Sequence, residues 1–272
     1  MPEKFPPSGN DNTAAKVVGM QDLTAFSPYL HKFLLVLLRS SIVLAMLPFF
    51  GSKNFPLQFK IGLALALALV LTPVVQFEIT NISVPLVVIR EIALGIILGG
   101  TVRVIFFAVD TAGQLISHAM GLSVATIFNP EMGQSTEVAR LYGIIAMLIA
   151  LAIDAHHELI TVLVQSYTWL PVGQVDVRDL ILKAVSVGSR LFVIALQISA
   201  PVMVGMLIVH ILLGFLYKAA PQINIFFISF PIYIGLGFLI MIISVPVFVH
   251  VFPLHFQEAR DEMFRVLALA RQ

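Results

Sequence analysis

The sequence contains no cysteine, and that single absence removes disulfides, thiolate metal sites and thiol nucleophiles together. Charge is nearly as scarce. Charged residues make up 11% of the chain, against about 25% in ordinary soluble domains, and they almost cancel to a net +1. The basic footprint of a nucleic-acid binder is missing, so no nucleic-acid partner is expected. Hydrocarbon fills the space that charge leaves: 59% of residues are hydrophobic and the mean hydropathy is +0.99. The apolar residues run in unbroken blocks rather than short alternating segments, which predicts membrane helices and not a β-barrel. The fold class expected is all-α, a polytopic membrane protein of about six hydrophobic helices.

Residues 1–28 are polar and bear Pro, Gly and Asn, with no apolar core behind a basic start. They predict a disordered tail rather than a cleaved secretory signal. The first apolar block, 33–50, carries Arg39 near its middle. An arginine at that depth costs about 2.5–3.5 kcal/mol on insertion scales, so Arg39 is expected to face other helices and not lipid. The second block, 61–77, is apolar up to Thr72-Pro73. Lys53 and Lys60 lie in the link before it and only Glu78 in the link after it, which puts the first link on the cytoplasmic side. The third block, 86–109, opens with Arg90-Glu91 and holds Arg103 in its second half. Gly95 and Gly99, four apart, share a helix face and allow a neighbouring backbone to come close. Arg103 either pairs within the bundle or lines a cavity.

Residues 110–136 form the one long polar, glycine-punctuated run, with Gly113, Gly121, Gly133 and a turn at Asn129-Pro130. Irregular backbone in hydrocarbon leaves N–H and C=O groups unpaired at several kcal/mol each. The run must therefore be buried against protein, line a watery cavity or lie outside the membrane. The fourth block, 139–164, contains Asp154, His157 and Glu158 on one helical face. That grouping invites a metal or proton-relay reading, but HExxH is absent because position 161 is Thr, and a polar patch between helices is the expectation. Two long blocks, 185–217 and 223–252, are joined by the tight link 218–224. Arms of roughly 30 residues measure about 45 Å, well beyond a hydrocarbon core of about 30 Å, so the hairpin tilts, bends or belongs to an assembly not confined to the bilayer. Pro201, Pro231 and Pro246 predict kinks in it. Residues 253–272 alternate apolar and charged positions and predict an amphipathic surface helix.

Four stretches in order resemble one family. These are Arg39 through Pro73; Glu91 to Gly95 running into Phe106 and Phe107; Asp110-Thr-Ala-Gly-Gln114 with Met120 to Thr126 and Pro130; and Ala220 to Asn224 leading to Phe230-Pro231. Over about residues 33–252 the chain resembles the FliR/SctT family of type III secretion export-gate membrane proteins. The family's histidine in the fourth block falls at His156, and no function is carried onto Asp154, His157 or Glu158.

The resemblance implies a non-enzymatic role without cofactor, catalytic residue or metal. It implies a flagellar export gate in the bacterial inner membrane, in the flagellar basal body, built with FliP and FliQ homologues and contacted by FlhB and FlhA homologues. Unfolded flagellar proteins are the cargo, and an ATPase complex and the proton-motive force supply energy. On this reading residues 29–252 form the export-gate domain between the two tails. Within it, 110–136 is a plug that closes the pore at rest, with Asp110, Gly113, Gln114, Ser117, Met120, Gly121, Ser123 and Thr126 beside Phe106 and Phe107. Lys218, Pro221, Gln222 and Asn224 form the gate loop, and Arg39, Arg90, Glu91 and Arg103 are the intramembrane charges. An injectisome gate is the nearest alternative. A secondary transporter would use Arg103, Asp154 and His157 at a midplane site, but no clear internal repeat supports it. A membrane protease lacks a paired-aspartate or Ser–His arrangement.

Overall fold

The computed structural model describes residues 11–47, 56–75, 84–122, 137–170, 177–220, 222 and 225–269, and every regular element among them is helical. In chain order these are α1 (Asp11–Met46), α2 (Leu57–Leu71), α3 (Val84–Ala119), α4 (Glu137–Ala152), α5 (Ala155–Trp169), α6 (Val177–Ala219) and α7 (Ile225–Leu269). Four helices are long and apolar enough to cross a membrane. The pair α4–α5, bent by 68°, makes a fifth candidate, and α2 is a shorter apolar helix. The chain is thus an all-α polytopic membrane protein.

The helix α3 is the axle. It packs against α1, α4, α6 and α7, while α2 leans on α1 and α5 on α7 and α4. Its glycines allow that crowding. A Cβ on Gly95 would meet Ile42 at 3.0 Å, and one on Gly99 would meet the Met46 side chain at 2.6 Å, so α1 rides directly on this face. Deeper in the same helix Leu94, Leu98, Val102 and Ile105 are almost wholly buried at spacings of three and four. Beyond Gln58 and Lys60 in its first turn, the short α2 is apolar all round and buries only Ala64, Ala68 and Leu71, as a helix does when its solvent is hydrocarbon. Pro73 follows its last turn, and Thr72 Oγ1 donates back to the Ala68 carbonyl at 2.6 Å.

Four boundaries differ from the sequence expectation. The first helix reaches back to Asp11, into the tail predicted to be disordered; residues 11–27 contain no proline, and residues 1–10 lie outside the described ones. Asp110 to Ala119 is regular helix continuous with the third block, so the polar run is not irregular from its start. The fourth block breaks at Asp154, which takes the left-handed conformation with φ 55°, a position that aspartate tolerates better than most residues. Asp154, His157 and Glu158 therefore do not lie on one continuous helix. Finally, the C-terminal segment is no separate surface helix. The last helix passes Pro253 without stopping because one apolar stripe, Phe252, Phe256, Ala259, Met263 and Val266, continues at spacings of three and four and is buried.

Length is the other mark of the hairpin. At 43 and 45 residues, α6 and α7 measure about 65 Å each, twice a hydrocarbon core of about 30 Å. One stripe of α6 is buried (Ile194, Ile198, Val202, Met206), and the opposite side exposes Phe192, Leu196, Leu207, Ile211 and Phe215.

Candidate functional site

Among the described residues the apolar frame holds a dry polar centre built around Arg39. Its Nε donates to Glu91 Oε2 at 2.6 Å and its Nη2 to Glu91 Oε1 at 2.9 Å. Nη1 donates to the Ser166 carbonyl at 3.0 Å and to Ser166 Oγ at 3.2 Å, and Nη2 also donates to the Leu170 carbonyl at 3.2 Å. A guanidinium has five N–H donors, and all five are used. Both charged side chains are fully buried. The Tyr167 ring lies 4.3 Å from the guanidinium carbon, and its hydroxyl donates to the Val36 carbonyl at 2.9 Å. Ser166 lies in the last turn of α5 and Leu170 caps it, its N–H donating to the Ser166 carbonyl at 3.0 Å, and the helix dipole at this end favours a cation. One residue thus ties α1, α3 and the end of α5 together. Replacing such a centre by apolar residues is often neutral, whereas removing one partner strands a buried charge at about 3–5 kcal/mol.

The polar run begins where α3 leaves the third block. Two of its polar groups are satisfied within the helix: Gln114 Nε2 donates to Asp110 Oδ2 at 2.8 Å and Thr111 Oγ1 to the Phe107 carbonyl at 2.8 Å, while Ser117 Oγ is buried without a hydrogen-bond partner among the described residues. Gly113 is a contact point, since a Cβ there would run into the Ala139 backbone of α4. Ser117 and Met120 are fully buried, and a Cβ on Gly237 of α7 would meet the Met120 side chain at 2.6 Å. Phe106 meets Phe252 edge-on at 5.7 Å, while Phe107 is about half exposed. The helix then ends in a left-handed cap. Gly121 has φ +75°, its N–H donates to the His118 carbonyl at 3.0 Å, and the Leu122 N–H donates to the Ser117 carbonyl at 3.0 Å. Asp110, Gly113, Gln114, Ser117 and Met120 are therefore brought together as the packed end of α3. Ser123 and Thr126 lie outside the described residues.

The remaining charges are dispersed. Arg103 is exposed, with Nη1 3.6 Å from the Met46 sulfur and the guanidinium carbon 5.2 Å from the Phe107 ring centroid. Arg90 is half-buried. In the gate loop Lys218 and Gln222 are exposed, and Pro221 and Asn224 lie outside the described residues. A cleft of about 370 Å³ between α6 and α7 is lined by Arg190, Gln197, His255, Glu258, Asp261 and Arg265. Behind it the buried Glu262 lies 3.7 Å from Arg190 and 3.6 Å from Arg265. Arg260 Nη1 donates to Glu158 Oε1 at 3.1 Å, tying α7 to α5.

Sequence reasoning did not name Ser166, Tyr167 or Leu170, although an arginine in mid-block required acceptors from somewhere. It also did not name the charges behind the cleft as a group. Their three- and four-residue spacing read as a solvated face.

The model of the family described as "Bacterial export proteins, family 1" matches residues 30–259. The chain is 32% identical over 228 residues to the flagellar biosynthetic protein FliR of Caulobacter vibrioides, covering 81% of this chain and 90% of that protein. To the FliR of Bacillus subtilis it is 30% identical over 247 residues, covering 87% and 95%. To that of Escherichia coli K12 it is 30% identical over 223 residues, covering 80% and 85%.

Proposed function

The chain belongs to the bacterial export proteins, family 1, among the FliR proteins of the flagellum, and from that premise we propose that it is a subunit of the flagellar type III export gate. It sits in the bacterial inner membrane at the flagellar basal body. With FliP and FliQ homologues it forms the channel through which unfolded flagellar subunits leave, and FlhA and FlhB homologues act beside it. The role is conduction and closure, without a chemical step.

The observation that supports a shared channel is the uncovered apolar side of α6 and α7, on helices about twice the bilayer's depth. Such a surface needs lipid or neighbouring subunits along its whole length. Residues 110–136 close the channel at rest. The packed segment from Asp110 to Met120 is the root, and the run from Gly121 is the part displaced by cargo. The left-handed cap supports this division, because it ends the rigid helix at a defined residue.

The first test pairs chromosomal deletion with purification of the tagged protein from detergent. Loss of flagella together with co-purified FliP and FliQ homologues supports the reading. Intact flagella with lost effector secretion moves the protein to an injectisome, and no change in either process overturns the gate. Deleting about ten residues after Gly121 should leave assembly intact and raise ion leakage. Unchanged leakage removes the plug.

A further inference from the structure

The break between α4 and α5 gathers three metal-ligating side chains. Asp154, in its left-handed turn, places a carboxylate oxygen 3.4 Å from His157 Nδ1. The His156 and His157 rings face each other with centroids 4.1 Å apart and planes 39° apart. One ligand atom from each of Asp154, His156 and His157 can be chosen so that all three lie within 4.8 Å of one another. A tetrahedral zinc ion with bonds of about 2.0–2.1 Å holds its ligands about 3.3 Å apart, so modest side-chain rotations close the set.

A second observation concerns His156 alone. Its Nδ1 is buried without a hydrogen-bond partner among the described residues. A buried imidazole nitrogen in that state calls for an ion or a water. The neighbouring Glu158 is already engaged, because Arg260 donates to it at 3.1 Å. Asp154 and His157 are about 70% exposed, which leaves an entry path and room for water to complete the coordination. The N-terminus of α5 disfavours a cation, and the Asp154 carboxylate offsets that field.

We propose that Asp154, His156 and His157 form a site for one transition-metal ion of the imidazole-preferring kind, with zinc as the representative. Two imidazoles and one carboxylate suit zinc, nickel or copper and do not suit magnesium or calcium. All three ligands come from the first turn of α5 and its cap. The bound ion therefore pins the left-handed turn from which the 68° bend departs.

The test uses the full-length protein in detergent, purified through a histidine-free tag and stripped with a chelator. Cobalt(II) is titrated and followed by visible absorption, and zinc by calorimetry. One equivalent of each is expected, with zinc displacing the cobalt band and excess magnesium leaving it unchanged. A His156→Ala, His157→Ala double variant should lose the band and weaken zinc binding by more than about tenfold. Glu158→Gln should keep both. If the double variant does not fold, the exposed His157→Gln change carries the same expectation. No binding overturns the site. Equal binding in the wild-type and variant proteins, at several equivalents, means an adventitious ion only and overturns it too.

Discussion

Arg39 and Glu91 meet at 2.6 and 2.9 Å with both side chains fully buried, whereas Arg190 and Glu262 meet at 3.7 Å with the arginine about half exposed. Both clusters draw on helices of the same apolar frame. At the first, five donors of one α1 side chain find five acceptors on α3 and at the end of α5, and the pair is bidentate. At the second, one buried carboxylate is shared between two arginines that keep contact with solvent. The first arrangement admits one geometry. The second tolerates several, as suits a surface cleft whose charges can be rearranged when a neighbour arrives.

The contrast is broken most severely at Arg39. Arg39→Met strands Glu91 in a dry interior and should cost about 3–5 kcal/mol, read as a lowered thermal midpoint of the detergent-solubilised protein. Adding Glu91→Met should recover most of that loss, since the double replacement leaves no buried charge. If it recovers nothing, the pair contributes stability of its own rather than helix matching. Glu262→Gln is expected to cost less, about 1–2 kcal/mol in the same assay, because both arginines regain water. Arg260→Gln breaks a pair whose side chains are each 36% exposed, and about 0–1 kcal/mol is expected from a double-mutant cycle with Glu158. Arg103→Gln should stay within about 0.5 kcal/mol, since its guanidinium is outside the bundle. A large effect at Arg103 would erase the distinction between buried and exposed arginines drawn here.

Much of the frame was legible in the sequence because hydrocarbon blocks allow little besides helices. The Gly95 and Gly99 face also met a neighbour, since small residues four apart in an apolar helix serve close approach. The misreadings share a cause. Between Asp110 and Ala119, polarity was taken for irregular backbone, yet Gln114 and Thr111 satisfy themselves one turn back without leaving the helix. At Asp154 the helix breaks with neither glycine nor proline to announce it, and at Pro253 a proline fails to end one because the buried stripe continues past it. Partners 52 and 131 residues from Arg39 are joined by tertiary packing, which periodicity along one helix does not encode. Of the candidate gate residues, those from Asp110 to Gly121 fall on the packed end of α3 and its cap, which helical periodicity in an apolar chain does not mark.

Phe192, Leu207, Phe215, Ile242 and Ile243 stand uncovered along two helices of about 65 Å. Lipid, detergent or a neighbouring subunit must cover them, so the chain taken out of all three is expected to associate through this face. Anything that binds this face adds its binding free energy to the stability of the fold, so the thermal midpoint of the solubilised protein should depend on which detergent or lipid covers it.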